Sequence, residues 1–349
     1  MKPIEIAGRR IGPGLPCFVI AEAGVNHNGS TELALRLVDA AAEAGADAVK
    51  FQAFKAERLV SQSAPKAEYQ LATTDSSESQ LEMLRRLELS PDALATVQAR
   101  CSSRGVVFLA TPFDDENATL LDRMQVPLFK ISSGEVTNLP FLAHIARMGR
   151  PIMLSTGMCD LGEVEEAVRT IRAAGNESIV LLQCVSNYPA DPADSNLRAM
   201  QTMAEAFGVA AGYSDHTLGN DVALAAVALG ACVVEKHFTL DREMPGPDHR
   251  ASSEPVEFAT MVRGIRTVES ALGDGCKRPA ASERNTTEVA RKSLVAACDL
   301  PAGTTLTDEM LAALRPGTGL SPALAAQVVG RRLRHAISAH TPLTFQMLD

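Results

Sequence analysis

Residues 210–238 read AAGYSDHTLGNDVALAAVALGACVVEKHF. Two apolar runs, 210–216 and 231–238, flank a segment over 219–230 whose apolar residues fall at helical spacing and which ends in Gly230. Strand, helix, strand is a parallel βαβ unit, because a second parallel strand needs a crossover to return the chain to the same edge. Both runs end in polar residues: Ser214, Asp215 and His216 in the first, Glu235, Lys236 and His237 in the second. Side chains alternate along a strand, so Glu235 and Lys236 face opposite sides and do not form one catalytic pair.

The same pattern repeats toward the N-terminus. CFVIAE (17–22) ends in Glu22, DAVKFQ (47–52) carries Lys50 and Gln52, and VVFLATPF (106–113) carries Thr111. LFKISSGE (128–135) carries Lys130, Ser133 and Glu135, PIMLSTG (151–157) carries Ser155, and IVLLQCVSNY (179–188) ends in Ser186, Asn187 and Tyr188. Helical patterns separate the runs, near 30–46, 90–105, 115–124, 138–148, 161–174 and 196–206, with a last one at 255–272. Ser30 and Ser90 stand where N-caps belong, and Gly45 and Gly105 where helices stop. Eight such units predict an α/β fold, a (β/α)8 TIM barrel, whose strand C-termini open on one face and would gather these polar residues there. An open doubly wound sheet is the alternative, but it normally shows a glycine-rich phosphate loop after its first strand, and AEAGVNHNG (21–29) is not one.

The barrel domain is expected over 1–272. Within it, 54–83 is too polar and irregular for a standard connection and reads as a lid or dimer segment. The βα alternation stops near Gly273, and GDGCKRPAASERNTTE (273–288) reads as a linker. Short alternating runs over 289–349 predict a small β-rich module near the lower size limit for independent folding, so it is expected to pack on the barrel or on a partner subunit.

Composition excludes several classes. A net charge of −9 and the lack of Trp remove both the basic footprint and the usual stacking surface of a nucleic-acid binder. No apolar stretch reaches the roughly 20 residues that span a bilayer, and MKPIEIAGRRIGPG lacks the apolar core of a signal peptide. The cysteines, Cys17, Cys101, Cys159, Cys184, Cys232, Cys276 and Cys298, are odd in number and form no CxxC pair. They predict reduced thiols in a cytoplasmic protein.

His216 and His237 end consecutive strands, so their imidazoles should share one rim. Two neutral imidazoles suit a divalent transition metal and leave positions open for water and substrate; rim histidines held by hydrogen bonds are the plain alternative. A lysine inside an apolar strand is costly unless paired. Lys50 and Lys130, with hydroxyls from Thr111, Ser133, Ser155 and Ser214, therefore suit a phosphate or carboxylate at the barrel mouth. Glu22, Glu135, Asp215, Glu235 and Asp248 are the candidate acids and bases. GPDHRAS (246–252) is a polar loop suited to hydroxyl binding, and His27 and His249 lie in rim loops.

Taken in order, AEAGVNHNG (21–29), AVKFQ (48–52), APKAEYQ (64–70), ESQLEML (78–84), TPFD (111–114), KISSGE (130–135), LSTGM (154–158), GYSDHT (212–217), EKHFTLD (235–241) and GPDH (246–249) resemble the sialic acid synthase family. ARKSL (290–294) and RPGTG (315–319) resemble that family's antifreeze-like, or SAF, domain. The resemblance spans essentially the whole chain. It implies a cytoplasmic transferase that joins phosphoenolpyruvate to N-acetylmannosamine and water, giving N-acetylneuraminate and phosphate. The alternative is an N,N'-diacetyllegionaminate synthase, and a non-catalytic sugar-binding protein is the remote one. It also implies a divalent metal, typically manganese (magnesium or cobalt otherwise), on His216 and His237. Lys50, Thr111, Lys130, Ser133, Ser155, Ser186 and Ser214 would hold phosphoenolpyruvate; Gln52, Glu135, Tyr188 and Asp248 would hold the sugar; Glu22 would handle a proton or water. Ser186 stands where some members have asparagine. Arg315 matches an arginine that the SAF domain extends into a neighbouring subunit's barrel, which implies a domain-swapped homodimer.

Overall fold

In the computed structural model, which describes residues 3–75 and 77–349, the eight apolar runs are eight parallel strands of one sheet. A short antiparallel hairpin, β1 (Ile4–Ile6) and β2 (Arg9–Ile11), precedes them. The sheet comprises β3 (Phe18–Gly24), β4 (Ala48–Ala53), β5 (Val107–Pro112), β6 (Phe129–Ile131), β7 (Ile152–Ser155), β8 (Ile179–Cys184), β9 (Ala210–Asp215) and β10 (Val233–His237). Its order is β5-β4-β3-β10-β9-β8-β7-β6: the first and last strands pair, and the two ends, β5 and β6, pack side by side. This is the expected TIM barrel, nearly closed.

Helices Thr31–Glu43, Pro91–Arg104, Asp115–Arg123, Leu139–Ala146, Leu161–Ala173, Arg198–Phe207, Asp221–Ala228 and Pro255–Leu272 link and follow the strands. Their ends follow local chemistry. The Ser30 and Ser90 hydroxyls accept from the backbone N–H groups of Leu33 and Ala93, three residues on. Pro91 opens its helix, where a missing N–H costs nothing. Gly105 closes it at φ +71°, a left-handed conformation that a side chain would strain.

The strands' two faces make two cores. Outward residues such as Val19, Val49, Phe108, Leu154 and Tyr213 pack under the helices. Inward residues from the N-terminal halves of the strands, among them Phe18, Leu109, Val180 and Val233, fill the barrel's lower half, where the hairpin's Ile6 and Ile11 join them. The hairpin was not foreseen in the sequence. Its signal was the alternation of Ile4 and Ile6 before a turn in which Ala7 and Gly8 both take positive φ.

The stretch after β4 carries three short helices, Ala56–Leu59, Glu68–Thr73 and Gln80–Arg86. Phe54, Leu81, Met83, Leu84 and Leu87 pack on Val25 of the barrel. Lys66 pins the segment internally: its ammonium donates to the Asp75 carbonyl at 2.7 Å and to Thr74 Oγ1 at 3.0 Å, and stands 3.4 Å from Glu78.

Residues 274–349 form a separate compact unit. Its segment Arg284–Ala290 is a helix. β11 (Ser293–Ala296) and β12 (Leu311–Leu314) pair antiparallel over a small core that includes Leu294, Leu300, Leu333 and Leu343. The ARKSL and RPGTG motifs meet here. The buried Ser293 hydroxyl donates to the Pro316 carbonyl at 2.6 Å and accepts from the Gly319 N–H at 2.7 Å, which fixes the turn that carries Arg315. Among the described residues, no helix of the protein is long and apolar enough to cross a membrane.

Candidate active site

Along each barrel strand the inward residues change from apolar to polar toward the C-terminal end. On β10, Val233 is followed inward by Glu235 and His237; on β4, Ala48 by Lys50 and Gln52; on β9, Ala210 by Ser214. The polar ends surround a cavity of about 420 Å³. It is lined by Glu22, Lys50, Gln52, Thr111, Lys130, Ser133, Ser155, Ser186, Tyr188, Ser214, His216, His237 and Asp248, as well as by Glu235 and Cys184.

At the floor, two lysines are interleaved with two glutamates. Lys50 Nζ stands 2.8 Å from Glu22 and 3.6 Å from Glu235; Lys130 Nζ stands 3.5 Å from Glu235. Hydroxyls complete the layer: Lys130 donates to Ser155 Oγ at 2.7 Å, Lys50 to Thr111 Oγ1 at 3.2 Å, and Ser214 donates to Glu235 at 3.2 Å. Burial alone would lower the Lys50 ammonium's pKa, but Glu22 and Glu235 outweigh it and hold it above its usual value. Lys130, buried beside only one close carboxylate, stays below its own. Burial raises Glu22 against the pull of Lys50, whereas Lys130 and Lys50 overcome burial and keep Glu235 low. Glu22 is therefore the carboxyl on this floor that most readily takes a proton.

The Gly157 N–H donates to Ser133 Oγ at 2.9 Å. A Cβ at Gly157 would collide with Ser186 Oγ and come within 3.1 Å of Ser133 Oγ. The glycine of LSTGM thus lets backbone approach two hydroxyls at once, and gives that motif a physical reason.

His216 and His237 lie with ring centroids 5.4 Å apart. His216 Nδ1 is 2.6 Å from the Val185 carbonyl. A carbonyl only accepts, so Nδ1 carries the proton and Nε2 turns its lone pair away from Val185. Its only other contact among the described residues is Ser214 Oγ at 3.4 Å. Burial pushes His216 down to about 4, and burial together with the neighbouring His216 holds His237 well below the usual histidine range. His237 Nδ1 is buried without a hydrogen-bond partner among the described residues, 3.8 Å from Asp248. Two neutral imidazoles with free nitrogens on one wall fit a divalent cation, although no cluster of three His, Cys, Asp or Glu side chains arranged to hold a metal occurs among the described residues. Burial, reinforced by the charge of Glu22, raises the Asp248 carboxyl to about 7.

Aromatic rings close the other side. The Tyr188 ring centroid is 4.2 Å from His216 and 5.3 Å from His237, and Tyr69, from the segment after β4, lies 5.0 Å from Tyr188.

Not every candidate converges. Glu135 does not line the cavity; its carboxylate accepts from Asn138 at 2.7 Å, and burial raises its pKa. Asp215 faces outward, bound to Lys236 at 2.6 Å. His27 Nδ1 accepts from the Gly29 N–H at 3.0 Å and His249 contacts Thr239 at 2.7 Å, so both belong to the rim's scaffold. Arg315 lies in the other compact unit. Glu235, a candidate acid that sequence reasoning gave no role, is central to the floor. Its signal was available, because it shares the inward face with His237 two residues on. Gln70 and Gln80 line the outer cavity and were also missed, since nothing in a polar, irregular stretch marks which side chains turn inward.

The sequence model of the NeuB family matches residues 37–277, and that of the SAF domain matches residues 291–349. The chain is 46% identical to the N,N'-diacetyllegionaminic acid synthase of Legionella pneumophila over 97% of its own length and 96% of that protein's. It is 47% identical to the enzyme of the same name from Campylobacter jejuni, over 90% and 95% of the two chains. The crystal structure of the N-acetylneuraminic acid synthetase of Leptospira borgpetersenii, in complex with citrate, superposes with a TM-score of 0.74 at 35% identity, covering 82% of this chain and 95% of that one.

Proposed function

The chain belongs to the NeuB family of sialic acid and related sugar-acid synthases, and from that premise we propose that it condenses phosphoenolpyruvate with an N-acetylated mannose-type sugar and water, releasing phosphate and a nine-carbon sugar acid. Of the two acceptors expected from the sequence, we favour 2,4-diacetamido-2,4,6-trideoxymannose, which would give N,N'-diacetyllegionaminate. Support for it is identity of 46% and 47% to relatives named for that product, against 35% to the N-acetylneuraminic acid synthetase. N-acetylmannosamine is the second reading.

The observation that carries the reaction is the buried floor on which Lys50 and Lys130 meet Glu22, Glu235 and the hydroxyls of Thr111, Ser155 and Ser214. Phosphate and carboxylate are the anions that two buried ammonium groups among hydroxyl donors would hold. Seated there, with Ser133 and Ser186 donating beside Gly157, phosphoenolpyruvate presents carbon 3 to the sugar's aldehyde. The new carbon–carbon bond leaves a cation at carbon 2. Water adds there, and the resulting tetrahedral centre expels phosphate. Glu22, the carboxyl held ready to take a proton, would accept the one that this water loses, which balances the one the aldehyde oxygen takes up as it becomes a hydroxyl; the water's second proton leaves with phosphate as the ketone forms at carbon 2. Gln52, Tyr188 and Asp248 border the space for the sugar. Glu135, which does not line the cavity, would reach the sugar only by reorienting.

His216 and His237 would hold a divalent metal, manganese in the first instance. When bound, it would polarise the aldehyde as a Lewis acid. The neutral state that burial imposes on both rings keeps their lone pairs available for it. The C-terminal unit would act in trans, Arg315 entering the site of a second copy in a homodimer and shielding it from bulk solvent while the one reacting water is retained. A cytoplasmic setting fits seven free cysteines, four of them (Cys17, Cys101, Cys184, Cys232) buried.

The test is phosphate release from phosphoenolpyruvate with manganese, with each sugar in parallel. The expected result is release dependent on sugar and faster with the diacetamido acceptor. Silence with both sugars, from folded and metal-loaded protein, would overturn the synthase reading.

A further inference from the structure

The two ends of the cavity differ in chemistry. The floor is the lysine–carboxylate network, whereas the outer wall is built by the segment after β4, for which the sequence predicts a lid or dimer role, and is largely apolar: Leu59, Val60, Met83 and Leu87 line it. A sugar bearing only hydroxyls would match this wall poorly, since a hydroxyl buried without a partner costs about 1–3 kcal/mol.

Two amides interrupt the apolar surface. Gln70 and Gln80 line the same cavity, and Gln80 Nε2 donates to Gln70 Oε1 at 3.3 Å. Gln70 Oε1 also accepts from the Ala67 N–H at 3.0 Å, which uses both its lone pairs and fixes its side chain to the lid backbone. Gln70 Nε2 reaches the Tyr69 hydroxyl at 3.4 Å, and Gln80 Oε1 accepts nothing among the described residues. The pair therefore retains one unused acceptor and unused amide hydrogens, held in place by the lid itself. An acetamido group needs that combination: an acceptor for its N–H, a donor for its carbonyl, and an apolar surface for its methyl. The ring of Tyr69, the neighbour of Gln70, packs tilted 5.0 Å from that of Tyr188, which in turn packs tilted 4.2 Å from His216. The amides thus stand beyond the histidines, away from the aldehyde end.

Resting on the synthase reading above, we propose that Gln70, Gln80 and the wall of Leu59, Val60, Met83 and Leu87 bind a second acylamino group of the acceptor, distal to its aldehyde, and set the preference for a diacetamido over a singly acetylated sugar. The lid is then a specificity element as well as a cover. The motifs APKAEYQ and ESQLEML, which carry these glutamines, gain a role that the floor does not give them.

The test compares kcat/KM for the two sugars in the wild type, in Gln80→Leu, which keeps bulk and removes hydrogen bonding, and in Val60→Thr, which keeps shape and adds a hydroxyl. The ratio of diacetamido sugar to N-acetylmannosamine should fall about tenfold in Gln80→Leu and less in Val60→Thr, while KM for phosphoenolpyruvate holds and shows the site intact. A ratio that does not move, or an equal loss with both sugars, overturns the subsite and leaves the synthase reading standing. Wild-type protein that turns over neither sugar fails the synthase reading instead. Saturation-transfer NMR of the diacetamido sugar with phosphoenolpyruvate present then decides the subsite: contact to the distal acetyl methyl that vanishes in Gln80→Leu upholds it, and equal signal in both proteins overturns it.

Discussion

Strands β9 and β10 carry two sets of buried charge, one on each face, and the sets are built differently. On the outer face, Lys236 binds Asp215 at 2.6 Å and the Thr217 carbonyl at 2.8 Å, while the other Asp215 oxygen accepts from the Thr217 N–H at 2.9 Å and its hydroxyl at 2.7 Å. This set is closed: both Asp215 oxygens are used. On the inner face, Glu235 meets Lys50 and Lys130 only at 3.6 Å and 3.5 Å, and both Glu235 Oε2 and His237 Nδ1 are buried without hydrogen-bond partners among the described residues. A buried polar atom without a partner costs about 1–3 kcal/mol, so these two atoms mark where the inner set would take up a ligand. Burial alone does not distinguish the two sets. Unspent hydrogen-bonding capacity does.

The comparison breaks most visibly at His237. His237→Ala should lower turnover by roughly 10³-fold or more if this ring holds a metal and shapes the inner site, and near-normal activity without added metal would remove the metal assignment. Lys236→Met should act on the outer set alone. Leaving Asp215 buried and unpaired is expected to cost about 3–5 kcal/mol, seen as a lower denaturation midpoint, with kcat/KM per folded molecule retained. Arg315→Ala should raise KM for the sugar about tenfold, the loss of one charged hydrogen bond, without altering the barrel's stability. Mixed with His237→Ala protein under confirmed subunit exchange, it should recover activity, and no recovery would count against a shared site. The smallest effect belongs to a position that touches neither set: Ser90→Ala removes one helix cap and should cost about 1 kcal/mol with no change in kinetics.

Much of this is legible in the sequence. The eight strands follow from β-branched runs separated by helical periodicity, and the caps at Ser30, Ser90 and Gly105 fall where the sequence puts them. Thr111, Lys130, Ser155, Ser214 and the two histidines converge because strand C-termini share one mouth in a closed parallel barrel. The sequence was weaker wherever position depends on non-local packing. Glu135 stands one turn beyond β6, where Asn138 draws its carboxylate aside, and no strand alternation reports that. Glu235 was obscured by its neighbour Lys236, although the two-residue period already paired it with His237. The inward glutamines of the segment after β4 could not be told from its solvated side chains, because three short helices folded on Lys66 follow no single period. The N-terminal hairpin escaped notice because its strands are only three residues long.

The central claim is that the inner set is an anion site and the outer set a structural one. Calorimetric titration of phosphoenolpyruvate into wild-type, Lys130→Met and Lys236→Met protein tests it most directly. Lys130→Met should lose binding, while Lys236→Met, though less stable, should bind as the wild type does. Wild-type affinity in Lys130→Met, or equal loss in both variants, would contradict the account.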